Sequence, residues 1–219
     1  MRKLSLFVIP FAALAACGGG DGDVTPIDGP AANCTVSTAS YGDKGALTGV
    51  ATFASSTMNP AIYRIAVQAA LEAAEPTDVL FIDFFTGYEP FGTSMAPTAV
   101  VPGTYQLTGA QTDFETCGVC VTVGTNATQT GYDDDYMVTG GSVTVTAVGD
   151  AVGETLTLSV SNLQLQHVTI DPMSGATAPV GDGCTTTISN GTFTGMVMAP
   201  PMQLTGATEL PGRPTKTRF

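Results

Sequence analysis

The chain has 219 residues, with 19 acids against 7 Lys and Arg, a sequence pI near 4.1 and no Trp. So few bases exclude non-specific nucleic-acid binding, which relies on Lys and Arg to neutralise phosphates. They equally disfavour electrostatic adhesion to an anionic lipid surface. The length suits one domain of about 170 residues with flanking segments.

Arg2 and Lys3 precede an apolar run, residues 4–16, that is interrupted by Ser5 and Pro10. Its 13 residues fall short of the roughly 20 that a membrane-spanning helix needs. Residues 1–16 therefore read as a signal peptide. Leu14-Ala15-Ala16-Cys17 resembles the lipobox of bacterial lipoproteins. That resemblance implies cleavage before Cys17, a diacylglyceryl group on its sulfur and an acyl group on the new amino terminus. At about 0.8 kcal/mol per buried CH₂, several acyl chains make such an anchor effectively permanent. Gly18 follows the cysteine, whereas Asp at that place retains enterobacterial-type lipoproteins in the inner membrane, so the resemblance implies the outer membrane. Loss of Arg2 and Lys3 with the leader leaves five bases against the 19 acids, a formal charge of −14.

Residues 17–33 form the lipidated cysteine and a tether rich in Gly, Asp and Pro, with too little apolar surface to fold. Its flexible part would typically span about 20–25 Å. Asp21-Gly22-Asp23 resembles a fragment of a calcium loop, but the other ligand positions are missing and it reads as linker. Residues 34–205 make the predicted β-domain, and residues 206–219, with Arg213, Lys216 and Arg218, a basic disordered tail.

Within the domain, segments 46–53, 79–85, 104–108, 120–125, 143–147, 155–160 and 185–198 read as strands punctuated by Gly and Pro. Residues 61–71 are ambiguous. Asn59-Pro60 resembles a helix start, and Arg64, Gln68 and Glu72 would share one helical face. The same residues also alternate with period two, and pairing with 78–85 as a hairpin decides for strand. The apolar phase is even through Leu156, Leu158 and Val160 but odd at Leu163 and Leu165, which predicts a bulge or bend near Asn162. The expected fold is all-β, an antiparallel sandwich or a jelly-roll or barrel-like single domain.

With Cys17 assigned to lipid, Cys34, Cys117, Cys120 and Cys184 remain, and an even number in an exported chain predicts two disulfides. Cys117-Gly118-Val119-Cys120 is a CxxC, yet it runs into the strand-like residues 119–123, not into a helix as a thioredoxin-like site requires. Zinc would need a second ligand pair, and the chain has one His. A Cys34–Cys184 bridge would close a very long loop, contributing about 5 kcal/mol, and a CxxC bridge far less. If the strand includes Cys117, alternation sends Cys117 and Cys120 to opposite faces and different partners, the pairing favoured here. A turn at Gly118 would instead let them bridge each other.

The succession Asp78-Val79-Leu80-Phe81-Ile82-Asp83-Phe84-Phe85, Pro102-Gly103-Thr104-Tyr105-Gln106-Leu107-Thr108-Gly109, Thr116-Cys117-Gly118-Val119-Cys120, Gly140-Gly141-Ser142-Val143 and Gly183-Cys184-Thr185 resembles a family of lipoproteins numerous in myxobacteria. The resemblance covers about residues 45–198. It implies a compact β-domain with the same cysteine set and brings no activity.

Candidate chemistry is sparse. His167 is in phase with Leu163 and Leu165, which places it on a strand face or at a sheet edge rather than in a catalytic dyad. No GxSxG, HExxH or phosphate loop occurs in the sequence. Asp83, Glu89, Asp113 and Glu115 could supply a glycosidase-type carboxylate pair. Asp133-Asp134-Asp135 concentrates hard oxygen ligands suited to calcium, and Tyr132 and Tyr136 beside it could stack on a sugar ring. The leading expectation is a non-enzymatic outer-membrane lipoprotein that needs no cofactor, with a structural or partner-binding β-domain. The competing readings are a calcium- or glycan-dependent binding module centred on Asp133, Asp134 and Asp135, and a carboxylate- or CxxC-based enzyme.

Overall fold

The computed structural model describes residues 34–128 and 130–199. Cys17, residues 17–33, the basic tail 206–219 and the last residues assigned to the domain, 200–205, lie outside the described residues. In chain order the strands are β1 (Asp43–Ala46), β2 (Thr48–Ser55), β3 (Tyr63–Ala70), β4 (Thr77–Phe85), β5 (Gly92–Thr93), β6 (Ala96–Pro97), β7 (Gly103–Gln106), β8 (Val119–Ala127), β9 (Asp135–Ala147), β10 (Thr155–Ile170), β11 (Thr177–Pro179) and β12 (Thr185–Met198). A single 3-10 turn, Gly109–Thr112, interrupts them among the described residues.

The large sheet runs β2-β3-β4-β8-β9-β10-β12 through antiparallel neighbours. It then closes on itself, because β12 also pairs with β2 at Val197↔Ala51 and Met198↔Thr52. The fold is therefore the expected all-β, barrel-like single domain; that closing pair is parallel, as is β1 on β12, so the sheet is mixed, with all its other pairings antiparallel. Closure removes the exposed edges that an open sheet would carry. Within residues 61–71, Tyr63–Ala70 form the strand β3, which pairs with β2 on one side over 63–70 and with β4 on the other over 64–70.

Alternation fills the interior. Ile65 and Val67 on β3, Leu80, Ile82 and Phe84 on β4, and Val119, Val121 and Val123 on β8 face inward and are buried. Tyr136 and Val138 of β9, Leu163 and Leu165 of β10, and Ile188 of β12 continue that layer. A barrel of this small strand number is filled by its own side chains rather than by a ligand. The bulge expected near Asn162 is present. Asn162 adopts φ 52°, the β9–β10 register shifts between Ser161 and Gln164, and Gly141 opposite has φ 111°.

Two details of the barrel position everything discussed below. β8 meets β9 only at residues Thr122 to Gly124, after which β9 swings away to pair with β7. Gln111 fills the resulting split: its Oε1 accepts the N–H groups of Gly118 and Val119, and its Nε2 donates to the Glu89 carbonyl. At one barrel mouth the N-terminal segment folds inward. Val36 is buried there, and the Asp78 carboxylate accepts from the Ser37 N–H (2.9 Å), the Asn126 N–H (2.8 Å) and the Tyr41 hydroxyl.

Candidate functional site

Cys34 is bridged to Cys184, 150 positions further along the sequence, with Cα atoms 5.6 Å apart. Cys117 is bridged to Cys120, Cα 5.3 Å apart. This corrects the expected pairing of those two cysteines with different partners. β8 begins at Val119, so Cys117 precedes the strand and alternation does not govern it. The bend at Gly118 turns the chain, as the alternative reading required. It is held by the Gly118 N–H on the Glu89 carbonyl (3.0 Å), and a Cβ on Gly118 would lie only 2.4 Å from that oxygen. Both cysteines are buried, Cys117 completely and Cys120 to within 1%.

The carboxylates proposed from sequence divide. Asp83 lies buried with its Oδ1 on the Arg64 Nε (2.9 Å), and the Arg64 guanidinium lies over the Phe85 ring. Asp113 Oδ1 accepts the Thr177 and Glu115 N–H groups, tying the 113–116 loop to β11. Glu89 and Glu115 both line an open cleft of about 560 Å³, together with Tyr88, Ser94 and Met173.

The Asp triplet does not act as one group. Asp133 accepts from the Asn126 side chain (3.0 Å), Asp135 accepts from the Tyr132 hydroxyl (2.9 Å), and Asp134 turns toward His167. Each of the three carboxylates is thus held by a different partner, Asp133 and Asp134 lying before β9 and Asp135 at its first residue. The tyrosines beside them are spent on packing. Tyr132 lies against Phe81, and the buried Tyr136 stacks on the His167 imidazole at 5.1 Å with an interplanar angle of 13°.

A further polar cluster surrounds His167. Its inward phase with Leu163 and Leu165 holds, but at the end of that row it reaches the barrel mouth rather than the core. Nδ1 stands 2.6 Å from Asp182 Oδ2, and Nε2 stands 3.5 Å from Asp134 Oδ1. The histidine side chain is 12% exposed and the two carboxylates about a third exposed. Asp182 is fixed in turn by the Cys184 N–H on its Oδ1 (2.9 Å), next to the Cys34–Cys184 bridge. That N–H, and then His167, holds the Asp182 carboxyl below the usual carboxylate range. Burial pushes the Tyr136 phenol above its ordinary value. A hydrolase would need a hydroxyl or thiol at Nε2; the group there is the Asp134 carboxylate.

Sequence reasoning singled out His167 and Asp134 separately and missed Asp182. The available signal was its place in the Gly181-Asp182-Gly183 turn just before a disulfide cysteine, where a short acidic side chain commonly accepts a local N–H. No protein-family model, curated protein or solved structure matches the chain.

Proposed function

We propose that this chain is a lipid-anchored protein of the bacterial cell envelope, held in the outer membrane through Cys17, whose β-barrel domain serves as a structural or partner-binding module and not as an enzyme. One observation carries the reading. The four cysteines from Cys34 to Cys184 pair among themselves, which leaves Cys17, in Leu14-Ala15-Ala16-Cys17, as the one of the five cysteines outside these bridges. Two disulfides also fit an oxidising, extracytoplasmic compartment. Cys34 precedes β1, so tension on a tether leading from Cys17 would meet the Cys34–Cys184 cross-link before it reached the sheet.

Mass spectrometry of the membrane-extracted protein tests the anchor. The expected mature form begins at Cys17 and carries the mass of three acyl chains, and Cys17→Ser leaves an unprocessed precursor or a non-lipidated form. A mature protein beginning elsewhere, without lipid, overturns the proposal.

A further inference from the structure

Where β9 swings away from β8 to pair with β7, the barrel wall is left with two lips, and they are finished differently. On the β8 lip, Gln111 Oε1 accepts the N–H groups of Gly118 and Val119, as the carbonyls of a neighbouring strand would. The β7 lip is bare. Backbone groups in an antiparallel pair alternate between facing the partner and facing away. The Leu107 N–H donates to the Gly141 carbonyl (3.0 Å), so by that alternation Gly103 and Tyr105 also turn their groups toward β9. The N–H and C=O of Thr104 and Gln106 point the other way, and among the described residues none of these four groups has a partner.

Other short strands carry the guards that keep an edge from pairing with another chain. β1 contains Asp43 and Lys44, while β6 and β11 contain Pro97 and Pro179. β7, Gly103-Thr104-Tyr105-Gln106, has neither a charge nor a proline. An open cleft of about 310 Å³ adjoins it, lined by Thr104 and Gln106 together with Glu89, Pro90, Thr108 and Gln111. Glu89 is exposed and is the one charged residue lining that cleft.

From these features we propose that the outer edge of β7 is the docking site for an extended peptide segment of a partner protein, which adds to the barrel wall as one more strand and carries a Lys or Arg toward Glu89. The proposal rests on the reading of the domain as a partner-binding module and names the surface and the chemistry of the partner. An antiparallel segment of three residues would pair its first and third with Gln106 and Thr104 and satisfy all four backbone groups. Main-chain hydrogen bonds then supply the affinity, as in strand addition to a sheet edge generally, and the base supplies the selectivity. A second copy of this chain is a poorer occupant. Its β7 brings no base to Glu89, and two mature chains of formal charge −14 repel each other.

The test is a titration of the full ¹⁵N-labelled chain with a capped peptide of alternating valine and threonine that has a central lysine. The Thr104 and Gln106 amide signals are expected to shift saturably and to gain protection from hydrogen exchange. The same peptide with a central glutamate binds about fivefold more weakly, and Glu89→Gln removes that difference. Gln106→Pro deletes one outward N–H without touching the β9 ladder, and weakens the lysine peptide about tenfold. Near-ultraviolet dichroism checks its fold. If Gln106→Pro does not fold, the lysine peptide N-methylated at the two amides that face β7 decides the matter on the unaltered chain, and no binding is expected. Absence of a saturable shift at Thr104 and Gln106, or undiminished binding of the N-methylated peptide, overturns the proposal. A dimer in sedimentation that Gln106→Pro abolishes also overturns it, in favour of a second copy. Mass spectrometry of the anchor is an independent measurement: a lipidated chain whose β7 binds no peptide loses this proposal alone.

Discussion

Asp78 shows how one carboxylate can fasten a terminus. It is 1% exposed and accepts from two backbone N–H groups and the Tyr41 hydroxyl, joining the N-terminal segment, β4 and the end of β8. Removing a partner from a buried charged group costs about 1.5–3 kcal/mol, chiefly because the remaining group goes unsatisfied. Tyr41→Phe should therefore lower unfolding stability by about 2 kcal/mol, and Asp78→Ala, which strands three donors, by more. Urea denaturation followed by dichroism checks both. Burial, and then Asp78, pushes the Tyr41 phenol well above its ordinary range, and burial raises Tyr63, Tyr105 and Tyr136 as well. A group whose folded pKa is raised contributes stability that is fully present below its unfolded value and lost above it, because only the unfolded chain then releases the proton. Stability should hold to about pH 10 and fall beyond it, and Tyr41→Phe should flatten that fall. Equal alkaline sensitivity of parent and Tyr41→Phe in urea midpoints at pH 8 and 10.5 would refute this role for the phenol.

At the scale of the element, the β9–β10 hairpin is bent on purpose. Asn162 at φ 52° inserts the extra residue, and Gly141 at φ 111° accepts the close approach of that bulge. A Cβ on Gly141 would come within 2.7 Å of the Asn162 carbonyl oxygen, so Gly141→Ala carries both backbone strain and a clash. A loss of about 2–3 kcal/mol is expected, readable as a drop in melting temperature. Gly153, whose φ is also positive but whose Cβ direction is open, should tolerate Ala with a smaller loss. The bulge lets a single β10 keep inward-facing Leu156, Leu158 and Val160 in even phase and Leu163, Leu165 and His167 in odd phase on one barrel wall. It also brings His167 opposite Tyr136 at the mouth.

For the whole molecule, the two disulfides differ in weight because they close loops of very different length. By loop-closure entropy, the Cys34–Cys184 bridge across 150 positions contributes about 5 kcal/mol, and the Cys117–Cys120 bridge across three about 2 kcal/mol. Cys34→Ala with Cys184→Ala should thus cost the domain far more than Cys117→Ala with Cys120→Ala, compared by urea midpoint. Non-reducing peptide maps should show these two pairings and no free thiol. The larger bridge also ties the N-terminal segment to β12, the strand whose parallel pairing with β2 closes the barrel.

The sequence by itself determined what local rules can fix. The proposal of a leader ending before Cys17 rests on a short contiguous pattern alone. β9, β10 and β12 announce themselves because each buries one face, so apolar and polar residues alternate. The phase flip at Asn162 was legible for the same reason, since one inserted residue inverts every side chain after it. β4 showed only a continuous apolar run, being buried on both faces. β3 carried both a helical and a strand pattern, so that only its expected hairpin with 78–85 decided it. The sheet forms that pairing with β4 on one side of β3 and pairs the other side with β2. Only the tertiary structure decided that β12 returns parallel to β2 and closes a barrel, that Gly118 bends Cys117 back onto Cys120, and that Asp134 and Asp182 meet at the two nitrogens of His167. Each of these joins positions through hydrogen bonds, a bend or a strand register that no local periodicity records, because the free energy favouring them comes from contacts that exist only once the rest of the sheet has formed.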